Sequence, residues 1–230
     1  HGHHRRQRQM CIRDRFTNNP VKITIPGPMT ITDSIADDYY NDPKKMGYDL
    51  ALCISNEVKA LSEAGCQYIQ IDEPVFARKP EETHDYGMEN LERAMHGILK
   101  ETQKACHICC GYPNSLDSEH YKKADLDAYD KIADLVEDSS IDEVSLEDSH
   151  RPLDLKLLEK FKKTKVIMGL IDVAKSRMES VEEIQKRIRE VLEHIDEERL
   201  IAAPDCGLGF FDRNQAKQKM QILSKAVKNL

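Results

Sequence analysis

Four residues with metal-ligating side chains fall where short β-type runs end: His107 and Cys109, then Glu147, then Cys206. The local texts are Cys106-His107-Ile108-Cys109-Cys110-Gly111, Val144-Ser145-Leu146-Glu147-Asp148 and Ala203-Pro204-Asp205-Cys206-Gly207. Alternate residues of an extended strand point the same way, so a His-x-Cys pair puts both side chains on one face. Imidazole nitrogen, thiolate sulfur and carboxylate oxygen are the donors of tetrahedral zinc, at about 2.0–2.3 Å. Thiolates discriminate against magnesium and calcium, so the cofactor expected here is one Zn2+ ion. Taken singly, each residue has a plainer reading: Cys206 as core, His107 as a structural histidine, Glu147 as a helix cap. Four such residues at the ends of three strands are harder to explain by packing. Cys110 competes with Cys109, but on a strand it would point away from His107.

The elements that must carry these residues alternate from Val21 onward, short β-type runs with longer helical patterns, as parallel β/α units do. Strands are expected at 21–25, 67–71, 104–109, 142–146, 165–170 and 200–203. Helices are expected at 44–63, 88–103, 120–136, 153–162, 181–195 and 214–229. Ile184, Ile188, Val191 and Leu192 repeat at helical spacing, and Ser180 before Val181-Glu182-Glu183 is a strong cap. Six units are two short of a closed (β/α)8 barrel, which takes about 250 residues. The expected fold class is therefore α/β, a (β/α)8 TIM barrel truncated to its last six units, in which catalytic groups gather at the C-terminal strand ends. A doubly wound sheet would want a Gly-rich phosphate loop after its first strand; Ile25-Pro26-Gly27-Pro28-Met29-Thr30 has prolines where that loop needs N–H groups.

The chain has 34 Lys+Arg against 41 Asp+Glu, a net charge of −7. Five arginines and one aspartate lie within the first fifteen residues, so the remainder is more acidic still. That excludes nucleic acid or an anionic membrane as the main partner. No apolar run approaches the ~20 residues that span a bilayer, and no signal peptide is visible, which points to the cytoplasm. Seven cysteines, an odd number without framework spacing, suit metal binding or burial rather than disulfides. Residues 1–15, basic and His-rich without apolar period, read as a non-native or disordered arm. Residues 16–230 read as a single partial-barrel domain.

The texts IPGPMTI (25–31), IQIDEP (69–74), CHICCGYP (106–113), EVSLEDSHR (143–151) and APDCGLG (203–209) resemble the C-terminal catalytic domain of cobalamin-independent methionine synthase. The similarity runs in order from about residue 21 to 230. It implies a (β/α)8 barrel that holds zinc through His107, Cys109, Glu147 and Cys206, and a reaction that moves a methyl group onto the thiol of homocysteine to give methionine. Coordination deprotonates a thiol whose pKa is otherwise near ~8.5, making it a nucleophile at neutral pH. Glu147, the one hard oxygen donor, is the ligand expected to yield to the substrate thiol. Asp72 matches the family residue that receives the amino group of homocysteine; its plainer reading is a rim aspartate bonded to backbone. Glu73 is a weaker substrate contact, paired with a basic rim residue. Asp148 and Asp205 are expected either to accept from His107 or to act as caps.

Three departures bear on the methyl donor. Family members that use methylfolate stack the pterin on a tryptophan after the Gly-Pro strand; this chain has none, and Ser34 stands near that place. They deliver a proton from a histidine after the fifth of these strands, where Asp172-Val173-Ala174 has no such group. Arg78 replaces an acidic residue, where it would face solvent or pair with a carboxylate or sulfonate on the thiol. The donor expected is thus a methylcorrinoid protein or another donor whose leaving group needs no proton, rather than methylfolate. Alternatives are alkyl transfer to another thiol such as coenzyme M, and a non-catalytic barrel stabilised by zinc.

Overall fold

A computed structural model of the protein describes residues 17–118 and 121–230. Its six strands form one parallel sheet: β1 (Lys22–Pro26), β2 (Tyr68–Asp72), β3 (Gln103–Ile108), β4 (Glu143–Leu146), β5 (Lys165–Gly169) and β6 (Leu200–Ala203). The spatial order is the sequence order, so the winding never reverses. A doubly wound sheet must reverse at a switch point. Consecutive parallel strands with helical crossovers make an arc of a (β/α) barrel, as expected. The basic start, residues 1–15, lies outside the described residues.

The register explains how one sheet serves both a core and a site. Ile25, Ile71, Cys106, Val144, Val166 and Leu200 align across the six strands. This row joins the hydrophobic core beneath the helices. One residue further along, the aligned row reads Pro26, Asp72, His107, Ser145, Ile167 and Ile201. Successive strand residues face opposite ways, so this second row lines the inner face of the arc, and three of its six members are polar.

Among the described residues six helices of seven residues or more flank the sheet: α1 (Pro28–Ser34), α2 (Pro43–Glu63), α3 (Met88–Met95), α4 (Ala128–Asp138), α5 (Val181–Val191) and α6 (Arg213–Lys228). Their starts are set by local chemistry. Asp42 accepts from the N–H groups of Lys44 and Lys45 ahead of Pro43, which suits a first helical turn. Ser180 with Glu183 and Asp212 with Gln215 form capping boxes. Ile184, Ile188 and Val191 bury one stripe of α5, and Ile132, Ala133 and Val136 one stripe of α4.

The sequence expectation departs from the structure chiefly at five places. Helix α3 stops at Met95 rather than residue 103, because Gly97 turns with φ +79°, which favours glycine. Helix α4 starts at Ala128 rather than 120; before it, Ala124 donates its N–H to Cys110 O and its carbonyl accepts from Arg151, at 2.8 and 2.6 Å. The stretch 153–162 is a 3₁₀ turn, Leu155–Lys160. Cys109 lies one residue beyond β3, not on it. Helix α1 was not expected at all.

Among the described residues β1 and β6 each pair along one side only. Their side chains alternate between exposed and half-buried in β1 and are half-buried throughout β6, whereas β4 is buried at every position. Open parallel edges invite pairing with another chain. The 230-residue polypeptide on its own is expected to form oligomers or aggregates in light scattering after gel filtration. A monodisperse monomer would count against that.

Candidate metal centre

His107, Cys109 and Cys206 offer ligand atoms that all lie within 4.8 Å of one another. His107 sits near the end of β3, Cys109 just past it, and Cys206 three residues beyond β6. His107 and Cys109 are each 7% exposed. Three of the four expected ligands are thus brought together. Glu147, the residue after β4, stands beside them without being part of that triplet; its Oε2 accepts from Cys110 N–H at 2.9 Å. Tyr129 of α4 sets the spacing of the two strand ends, donating to Ile108 O at 2.7 Å and accepting from Glu147 N–H at 3.1 Å.

The donor set fits a metal. His107 Nδ1 lies 2.9 Å from Ser145 Oγ, its neighbour in the register row, which leaves Nε2 buried without a partner. Glu147 Oε1 is likewise buried and without a partner. Orphaned buried atoms of this kind cost free energy unless something meets them. Cys109 donates toward Cys206, and this bond, together with the nearby His107, lowers the Cys206 thiol while Cys109 is pushed up. Burial pushes the Glu147 carboxyl up to about 7, with the charges of Asp205 and Cys206 adding to it.

The other expected residues take varied places. Asp72 is half-buried beside His107 in the register, with Gln70 Nε2 donating to its Oδ1 at 2.7 Å; burial raises its carboxyl. Glu73 corrects the expectation of a basic partner. It is fully buried and accepts from Met29 N–H, Thr30 N–H and Thr30 Oγ–H at 3.0, 2.9 and 2.7 Å, at the start of α1. Gly27 makes room for it, since an added Cβ would meet Glu73 Cδ at 2.1 Å. Arg78 lies in a cleft of about 470 Å³ with Lys79, Lys122, Lys123 and Lys131, and approaches Asp33 at 4.0 Å. Asp148 and Asp205 do not serve His107; that place belongs to Ser145. Asp148 is paired with Arg187 and Leu153 N–H. Asp205 holds the loop after β4. Ser145 and Tyr129 were missed. The register would have found Ser145, which is opposite His107 once the strands are aligned; nothing in the sequence marks Tyr129.

The family model described as the catalytic domain of cobalamin-independent synthase matches residues 2–229. The chain belongs to this family. The methionine synthase of Thermococcus kodakarensis is 33% identical over 217 residues, which cover 94% of this chain and 59% of that protein. That of Pyrococcus abyssi is 33% identical over 220 residues, 95% of this chain and 60% of that one. The chain therefore spans about three fifths of the length of these curated relatives. Among solved structures, a B12-independent methionine synthase from Shewanella sp. W3-18-1, in complex with selenomethionine, matches with a TM-score of 0.87 and 31% identity over 96% of this chain and 65% of that one. A methyltransferase from Methanosarcina mazei shares the fold, with a TM-score of 0.66 and 18% identity over 94% of this chain and 61% of that one. Among the described residues no helix is long and apolar enough to cross a membrane.

A pH dependence follows from Glu73. Burial outweighs its three hydrogen bonds and lifts its carboxyl from the ordinary 4.5 to about 7. Between those values the folded state binds more protons than the unfolded one, so stability falls as pH rises through that window and levels off above it. The effect is on the order of 3 kcal/mol at most. The melting temperature of Glu73→Gln is expected to fall less steeply than the parent's from pH 4.5 to 7; parallel curves would contradict the assignment.

Proposed function

We propose that the protein moves a methyl group onto the thiol of homocysteine, giving methionine, and that zinc held by His107, Cys109, Glu147 and Cys206 serves this reaction. The observation that carries the reading is the convergence of His107, Cys109 and Cys206 within 4.8 Å, beside buried, partnerless atoms of His107 and Glu147. Two sulfurs, one imidazole and one carboxylate match zinc better than a hard cation. Bound there, zinc would deprotonate the incoming thiol and so supply the nucleophile.

The chain's own residues do the rest. Ser145 fixes the His107 ring so that Nε2 faces the cluster. Asp72, half-buried and next in register to His107, is suited to an ammonium ion, because a charge pair is stronger away from bulk water. The selenomethionine bound in the Shewanella relative is a methionine analogue, in keeping with this assignment.

The donor we propose is a methylcorrinoid rather than methylfolate. The chain has no tryptophan. Ser34, near the place where a stacking ring would stand, turns its hydroxyl onto Thr30 O at 2.6 Å. Ala174, at the proton-donor position, is buried and carries no acid.

Two measurements test the reading. The parent chain should purify with zinc, and Cys206→Ser should lose most of it by metal analysis; equal zinc in both would sink the ligand assignment. With homocysteine as acceptor, a methylcorrinoid donor should support turnover, and methyltetrahydrofolate should be slower by about 10²–10⁴, the factor a missing general acid costs. Fast folate turnover that Asp72→Ala abolishes would restore the folate assignment.

A further inference from the structure

Asp205 precedes Cys206, yet its carboxylate turns away to a different strand's loop. It is fully buried, and its oxygens accept four hydrogen bonds from residues 148–150. Oδ1 takes the N–H groups of Asp148 and Ser149 at 3.0 and 2.9 Å; Oδ2 takes the N–H and the Nδ1 of His150 at 3.0 and 3.1 Å. A carboxylate has about four acceptor positions, so Asp205 is saturated. For that reason His150, Asp172 and Asp205, whose ligand atoms also cluster within 4.8 Å, do not make a second metal site.

The carboxylate reaches the β4 loop by lying over β5. Gly169, the last residue of β5, leaves the space, because an added Cβ there would lie 2.1 Å from Asp205 Oδ1. The base of the bridge is fixed as well, since Asp205 N–H donates to Ile171 O at 3.0 Å. At the far end, the bonded N–H groups begin with the residue that follows Glu147. Hydrogen bonds from N–H groups to a carboxylate are stronger than those between neutral groups.

We propose that Asp205 is a positioning residue that ties the β4 loop to β6 across Gly169, and so fixes Glu147 relative to Cys206 for a shared metal ion. This rests on the ligand reading given above. It assigns Asp205 to Glu147, where a partner of His107 was expected.

Zinc affinity, measured on the 230-residue chain by competition with a chromogenic chelator, tests the proposal. The set is the parent, Asp205→Asn, Gly169→Ala, Glu147→Ala and the double variant Asp205→Asn/Glu147→Ala. Asparagine turns an NH2 group against the loop donors, whereas Gly169→Ala keeps the charge and pushes the carboxylate aside. Each single change should weaken binding by about 10–100-fold. In the Glu147→Ala background, Asp205→Asn should add less than about twofold, since it acts through the residue already removed. The cobalt(II) absorption spectrum of Asp205→Asn should resemble that of Glu147→Ala rather than the parent. Equal losses in both backgrounds, a parent-like cobalt spectrum, or loss of the metal-free melt in either Asp205→Asn or Gly169→Ala would mark a merely structural role and overturn the proposal. A parent that binds no zinc, or one indifferent to Glu147→Ala, removes the ligand reading and the tie together. A zinc-binding, Glu147-dependent parent with unchanged affinity in Asp205→Asn removes the tie alone.

Discussion

Sheet curvature is the constraint on which the site depends. Neighbouring strands lie about 4.8 Å apart, so on a flat sheet β3 and β6, three spacings apart, would hold their residues about 14 Å from each other. His107, Cys109 and Cys206 nevertheless converge within 4.8 Å. Curling of the arc and the inward turn of residues 204–206 must together close the gap. Small residues on the inner face permit it, Ser145 on β4 and Gly169 on β5. The two outer loops are also clasped directly, with Tyr112 Oη donating to Gly207 O at 2.7 Å and the Tyr112 ring stacked on Phe210 at 5.0 Å.

Curvature brings loops near one another, and buried carboxylates then hold them. The same device occurs twice. Glu73, after β2, crosses above Gly27 to the N–H groups that open α1, and Asp205, after β6, crosses above Gly169 to those that follow Glu147. In each case the glycine belongs to the neighbour over which the carboxylate lies, and any side chain there would collide with it. Loop backbone is thereby satisfied in places where burial would otherwise leave N–H groups unpaired.

The strand-helix alternation made the barrel arc legible in the sequence, because each unit carries its own period and caps. Residue type and strand-end position also picked out His107, Cys109 and Cys206, which the fold brings within 4.8 Å of one another, with Glu147 beside them and outside that triplet. What escaped was set by tertiary partners. The helical pattern before Ala128 yields to the bonds of Ala124, which donates to Cys110 O and accepts from Arg151, and only the fold brings those residues near. Glu73 reads as a rim acid in Asp-Glu-Pro, but the start of α1, just after β1, lies beside it and supplies three donors. Ser145 is one of many serines until the register sets it against His107.

Electrostatics then says what kind of guest the inner face favours. Burial raises Asp72, lifts Glu147 to about 7, and nearby negative charge adds to both. A carboxyl that is hard to ionise marks a place short of positive charge. His107 answers part of that need: burial alone would disfavour its cation, yet Cys206, Asp72 and Glu147 together hold its pKa above the ordinary value. On the zinc reading proposed above, a divalent ion at the sulfurs would lower Glu147 and Asp72 together; a second cation there would meet its repulsion, so an ammonium group at Asp72 has to be held by that carboxylate's own charge.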